Sequence, residues 1–313
     1  MNTIRSILVA TDFSDDASHA VRRAAQLATQ LSACMTLLHV MSGPSLRALR
    51  EIFPSPDDAE TKLIADAQRM LDELSASLVQ IDKTLLTSQV KIGKVLDEIL
   101  LASAQVDLLV LGAHGLNPLR DLILGTTAAR LLRKSIRPVL VAKQSPKGPY
   151  QRVIVPVDFS PHSVQALKTA MHIAPSADIT IIHAFDVPFE GKLWIAGVAD
   201  EEIHRYRIQA RQQALRKIGD LVVGLDAAPY RFRHVVEHGD APHVILDKEQ
   251  KLEADLIVIG KQGQSIVEDL FLGSVTRHVL ADAKCDVLVV NPRMLGVRVA
   301  LFSVRNETRG KSS

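Results

Sequence analysis

Two runs in this chain place glycines and a hydroxyl where a phosphate could be held. Asp107 to Thr126 reads DLLVLGAHGLNPLRDLILGT, and Asp255 to Ser274 reads DLIVIGKQGQSIVEDLFLGS. In each, a glycine ends an aliphatic run, a second glycine follows after two residues, and a third follows after nine more, next to a hydroxyl. The positions are Gly112, Gly115, Gly125 and Thr126, then Gly260, Gly263, Gly273 and Ser274. Glycine lets backbone N–H groups approach an anion with no Cβ in the way. A helical pattern begins at the third glycine, so unpaired N–H groups and the positive end of a helix dipole would face the same point. The hydroxyl at that helix start would cap the helix or donate to a phosphate. The structural alternative is that these are strand-end and helix-start glycines with no ligand.

A carboxylate belongs to each set. Ala10 to Ser14 reads ATDFS and Pro156 to Ser160 reads PVDFS, each at the end of an apolar run of strand type. The glycine runs recur at an offset of 148 residues and the other landmarks at 144 to 148, which indicates two homologous domains. The expected division is 1–144, a linker at 145–149, 150–292, and a tail at 293–313 that is partly disordered. Within each domain the hydrophobic pattern alternates strictly between strand and helix, the signature of a parallel sheet covered on both faces. Expected first-half strands are Ile4 to Thr11, Met35 to Val40, Thr87 to Ile92, Leu108 to Leu111 and Pro138 to Ala142. Ser42 to Pro56 is expected as an irregular Gly/Pro segment, and Phe185 to Val198 as its counterpart loop, carrying the only tryptophan, Trp194. Ser14 is the expected cap of the first helix.

In open parallel sheets, ligands sit beyond the carboxyl ends of the strands where the winding reverses. With strand order 3-2-1-4-5 that point lies between strands 1 and 4. The order puts Asp12 and Gly112 on the two lips of one crevice, and Asp158 and Gly260 on those of another. The carboxylate there would accept from a ribose hydroxyl or help hold a divalent ion; its structural alternative is to cap the next helix.

Composition narrows the field. The chain has 313 residues, 47% of them hydrophobic and only 4% aromatic, which suits aliphatic α/β cores. Its 37 basic and 35 acidic residues give a net charge of +2, which provides no drive toward nucleic acid. Only the last 22 residues are lopsided, with five basic residues against one acidic. Cys34 and Cys285 form neither a disulfide framework nor a metal spacing, so a reduced, cytoplasmic setting is expected. Neither a signal peptide nor a membrane-length apolar run is expected.

On ATDFS, PVDFS, the paired G-x2-G-x9-G-[ST] runs and the trailing RPVLVAK and CDVLVVN segments, both halves resemble the universal stress protein family, in its tandem form. The resemblance covers Ile4 to Pro292. It implies two Rossmann-like (HUP-type) domains, each a five-stranded parallel sheet of order 3-2-1-4-5 with helices on both faces. It also implies a nucleotide-binding stress-response protein that is regulatory rather than catalytic and takes ATP or another adenine nucleotide, with or without Mg²⁺. The implied site residues are Thr11, Asp12, Val40, Gly112, Gly115, Gly125, Thr126 and Thr127 in the first domain. In the second they are Val157, Asp158, Ala184, Gly260, Gly263, Gly273, Ser274 and Val275. The Asp would face the ribose, Val40 and Ala184 the adenine, and the glycines with the helix start the phosphates. A slow ATPase or phosphotransferase in the same crevice, and a scaffold for another small ligand, are the competing functions.

Other groups are weighed against structural roles. No GxxxxGK[ST] or GxSxG motif occurs. His39 and His183 close strand 2 and are expected as satisfied strand-end histidines. His114 is replaced by Gln262 in the second copy, so it is no shared catalytic group. His234 and His238 share a strand face but lack further ligands for a metal. Lys261 would contact a phosphate or stand in solvent, and the charged helix from Asp200 is expected to be solvated. The loop LNPLRDLIL pairs Arg120 with Asp121, whereas QSIVEDLFL sets Glu268 beside Asp269, so the first site is expected to bind ATP more tightly. The apolar strand-5 runs, Val139 to Val141 and Val287 to Val290, would be exposed edges. Pairing them with each other, antiparallel, hides both; a homodimer is the other way to cover such an edge.

Overall fold

Five aliphatic residues in a row are stable as a strand only if both faces of that strand are covered. The chain provides that cover twice, and then joins the two halves. The structure, a computed structural model, describes residues 4–52, 56–78, 85–115, 124–187, 189–225, 232–263 and 271–291. The tail at 293–313 lies outside the described residues, as do Arg120, Asp121, Glu268 and Asp269.

In the first half, strands β1 (Ser6–Ala10), β2 (Cys34–Ser42), β3 (Leu86–Gly93), β4 (Leu108–Gly112) and β5 (Val139–Ala142) form the sheet. Helices α1 (Asp15–Leu31), α2 (Gly43–Ile52), α3 (Pro56–Ser77), α4 (Val95–Ser103) and α5 (Thr126–Lys134) connect them. The second half repeats this with β6 (Arg152–Pro156), β7 (Asp178–Phe185), β8 (Phe232–His238), β9 (Leu256–Gly260) and β10 (Asp286–Val290). Its helices are α6 (Pro161–Ile173), α7 (Glu190–Ile195), α8 (Asp200–Val223), α9 (Ala241–Lys251) and α10 (Ser274–Asp282).

All ten strands make one sheet in the order β3-β2-β1-β4-β5-β10-β9-β6-β7-β8. Every pairing is parallel except β5 with β10, which is antiparallel, with Leu140 opposite Leu288 and Val139 opposite Val289. Each half thus runs 3-2-1-4-5, and the two strand-5 edges cover each other. The side chains of β5 and β10 are buried throughout. Of the sheet's remaining edges, β3 alternates between exposed and half-buried residues from Leu86 to Val90, as a strand with one wet face does, and β8 exposes Arg233 and His234.

Two irregular segments contain helix instead. Ser42 to Pro56 includes α2, because Gly43 and Pro44 occupy a first turn, where a missing N–H costs nothing. The stretch from Phe185 to Val198 includes the short α7.

The joint is held by polar groups as well. Lys143 Nζ donates to the carbonyls of Leu280 and Ala283 at the end of α10. Lys261 Nζ donates to the Arg133 carbonyl at the end of α5, at 2.6 Å. Each half therefore sends a cation to the negative end of a helix in the other. Lys261 is buried there and does not reach into a crevice, which corrects both readings of it made from the sequence. Behind these lysines Asp286, 1% exposed, accepts from Arg23 Nε at 3.0 Å and from the Tyr150 hydroxyl at 2.7 Å. The Arg23 guanidinium lies 4.1 Å above the Tyr150 ring. Burial, helped by the Asp286 charge, pushes the Tyr150 phenol well above its ordinary value, and burial lowers the Lys143 ammonium.

Candidate functional site

Beyond the carboxyl end of β1 the chain turns sharply through Asp12-Phe13-Ser14. Asp12 Oδ1 accepts from the Ser14 N–H at 3.1 Å and from its hydroxyl at 2.6 Å. Ser14 in turn caps α1 by accepting from the Ala17 N–H. The expected cap is therefore Ser14, with Asp12 bracing it. The second copy repeats this: Asp158 Oδ1 accepts from Ser160 N–H and hydroxyl at 3.0 and 2.6 Å, and Ser160 caps α6. To make the turn, Phe13 and Phe159 adopt φ of 67° and 65°. Such left-handed backbone costs a non-glycine residue about 1–3 kcal/mol. Each ring is compensated by stacking on the strand-2 histidine, with centroids 4.4 Å apart for Phe13 and His39 and 4.7 Å for Phe159 and His183. Those histidines bond through Nδ1 to the carbonyls of Thr11 and Val157, so they are satisfied strand-end residues, as expected.

The three glycines of each run do three different things. A Cβ on Gly112 would lie 2.7 Å from the backbone of Asp16, and one on Gly260 would lie 2.8 Å from His162 Cβ. The first glycine therefore lets the first helix of its domain, α1 or α6, press against the strand end. A Cβ on Gly115 would stand 2.5 Å from Asp12 Oδ2, and one on Gly263 2.8 Å from Asp158 Oδ2. The second glycine thus makes room for the carboxylate from the opposite lip. The third closes the turn, with the Gly125 N–H donating to Ala113 at 2.8 Å and the Gly273 N–H to Lys261 at 2.9 Å. It is also the N-cap residue of α5 or α10, and has no side chain to accept from the first-turn N–H groups. Thr126 and Ser274 are the first helical residues and do not cap, which removes that role for the hydroxyl. The result is an uncapped helix start beside a glycine turn, and such an end favours an anion.

These parts surround a cleft in each half. The first, about 770 Å³, is lined by Thr11, Asp12, Val40, Gly112, Gly115, Gly125, Thr126 and Thr127, all eight residues named from the sequence. The second, about 600 Å³, is lined by Val157, Asp158, Ala184, Gly260, Gly263, Gly273, Ser274 and Val275, again all eight. The walls of the two differ. The first is completed by Ser45 and Leu46 of α2 and Leu63 of α3, the second by Ala210, Gln213, Ala214 and Lys217 of α8. These wall residues escaped the sequence reading. The small residues Ala210 and Ala214, one helical turn apart with Lys217 next along, were the available sign of a helix face turned to a ligand. The solvated helix expected from Asp200 thus has one strip that lines the second cleft.

A wider hollow of about 1250 Å³ lies between α7 and α8, away from both glycine turns. Asp186 and Glu190 line it and meet His238, with the three ligand atoms within 4.8 Å of one another. Arg207 already pairs with Glu190, and His238 Nε2 stands 2.8 Å from the other Glu190 oxygen. His234 is exposed and outside this group. Size alone does not make that hollow the site; the two clefts have the chemistry.

The profile of the universal stress protein family matches residues 3–143 and again 149–291. A universal stress protein from Mycolicibacterium smegmatis is 26% identical over 302 residues, spanning 92% of this chain and 97% of its own length. The crystal structure of a universal stress protein from Archaeoglobus fulgidus superposes with a TM-score of 0.68 at 20% identity, covering 92% of this chain and 98% of that one. A solved universal stress protein in complex with cAMP, 25% identical, aligns with 46% of this chain and 99% of its own at a TM-score of 0.32.

Proposed function

Since the chain belongs to the universal stress protein family, we propose that it is a cytoplasmic, ATP-binding stress-response protein, regulatory rather than catalytic, with one adenine-nucleotide site in each cleft. The observation that carries this reading is a repeated one: an uncapped helix start, a glycine turn and a carboxylate meet in one crevice, in both halves. In it, Asp12 and Asp158 take the ribose hydroxyls, and Val40 and Ala184 flank the adenine. The second glycines, Gly115 and Gly263, with Thr126, Thr127, Ser274 and Val275, offer N–H groups to the phosphates. A Mg²⁺ ion, where present, would sit among those phosphates rather than in a protein cage. The functional units are then residues 1–144 and 150–292, joined by 145–149. Among the described residues no helix is long and apolar enough to cross a membrane.

Native mass spectrometry of the purified chain tests the reading, with ATP, ADP and cAMP added singly. The expected spectrum shows up to two bound adenine nucleotides, lost in the Asp12→Ala, Asp158→Ala double variant. A wild-type chain that takes up none of the three would refute it.

A further inference from the structure

Inside the first glycine turn, between Gly112 and Gly115, stands His114, whose backbone N–H and ring Nδ1 both meet Asp16 Oδ2, at 2.9 and 2.8 Å. An ionised carboxylate only accepts, so the Nδ1 position carries the hydrogen and the ring is fixed with Nε2 as its remaining group. His114 lines the first cleft and is partly exposed, with its Cα 3.4 Å from where a Cβ of Gly125 would be, against the start of α5. The imidazole therefore rises from the same turn that presents the helix N-terminus. The second cleft lacks this pair. Gln262 takes the histidine's place, buried, with its amide donating to the Phe271 carbonyl at 2.9 Å, and His162 stands where Asp16 does.

We propose that His114, aligned by Asp16, is a phosphate-contacting side chain that only the first cleft possesses, and that it makes this cleft bind polyphosphate more tightly as pH falls. The proposal rests on the reading of the clefts as nucleotide sites. When His114 is protonated, Nε2 donates a charge-assisted hydrogen bond to a phosphate oxygen; when it is neutral, Nε2 turns a lone pair toward an anion. Affinity for phosphate is then higher with the protonated ring than with the neutral one. Among the described residues, the other ionisable groups lining the cleft are Asp12, from the end of β1, and His39, from β2. The first turn of α5 brings only Thr126, Thr127 and Ala128. His39 has its counterpart in His183 with the same backbone partner, so it does not separate the two clefts.

The test is calorimetric titration of ATP from pH 5.5 to 8 into chains with one working cleft, Gly263→Val for the first and Gly115→Val for the second, each with and without a further change. The ligand's own ionisation is common to all of them. First-cleft affinity is expected to weaken roughly tenfold more than second-cleft affinity across that range, and His114→Gln is expected to remove the excess. Grafting the pair into the second cleft of the otherwise unchanged chain, by His162→Asp with Gln262→His, should install the slope there, and needs no disabled cleft. ATP binding in which His114→Gln follows the parent at every pH, and the graft changes nothing, overturns this inference alone. A chain that binds no ATP at any pH overturns the nucleotide reading, and this inference with it.

Discussion

Placed side by side, the two clefts agree where the strand-end Asp meets the glycine turn and part where side chains complete the walls. Asp12 faces Gly115 as Asp158 faces Gly263, both Asp-Phe-Ser turns hold phenylalanine at positive φ, and both glycine N-caps leave a helix start open. Against that sameness, α2 and α3 close the first cleft with aliphatic and hydroxyl groups, while α8 closes the second with Gln213 and Lys217. Only the first has a histidine–carboxylate pair in its turn. The comparison separates the backbone frame of the clefts, which both halves retain, from the side chains that complete their walls, which differ. The joint between the halves follows the same rule. Its strand pairing is symmetric, but Asp286 and Tyr150 lie on the second half, and Pro138 and Ile4 occupy the corresponding positions of the first.

The largest effect is expected at that asymmetric joint. Arg23→Met leaves Asp286 buried without its cation and should cost about 3–5 kcal/mol of stability, read by urea denaturation. Ile4→Tyr, the reciprocal change, should gain nothing. Next come the first glycines. Gly112→Ala drives a Cβ into the backbone of α1 and should cost about 1–3 kcal/mol; Gly260→Ala meets the Cβ of His162 at 2.8 Å and its backbone at 3.0 Å, and should cost about as much. Unequal losses would mean that the two helix–strand contacts differ after all. A smaller effect appears at alkaline pH. The Tyr150 phenol is raised in the folded chain, so its contribution is complete below the ordinary phenol value and is lost as pH rises above about 10. Melting temperature should fall more steeply from pH 9 to 11 in the wild type than in Tyr150→Phe. Smallest is Lys217→Met. Lys217 is exposed, 5.3 Å from the Phe159 ring, and its loss should weaken ATP binding in the second cleft only a few-fold.

Much of this was legible in the sequence because repetition and periodicity report directly on backbone. The aliphatic runs of β4 and β9, and the position of Asp12 and Asp158 at strand ends, located both crevices, while Val40, Ala184, Thr127 and Val275, which also line them, were named through the family resemblance. The division of labour among the glycines was not legible, since spacing does not tell which neighbour a missing Cβ would strike. Lys261 was misplaced for a related reason. Its site in the turn suggested a phosphate, but its partner is the end of α5, 128 residues away in the chain, and long-range partners leave no mark on local pattern. The role of Lys217 was hidden because a helix with most of its charges in water gives little sign of which strip faces a cleft. The positive φ of Phe13 and Phe159 could not be foreseen either, because aromatic residues rarely adopt it without tertiary support.

The most direct test of the account is the stoichiometry of ATP binding in the Gly115→Val, Gly263→Val double variant. Each new side chain would displace the carboxylate that faces it and obstruct the turn. Calorimetry should give two sites for the wild type and none for the double variant, with circular dichroism unchanged. A folded double variant that still binds ATP with wild-type affinity would contradict the assignment of both clefts.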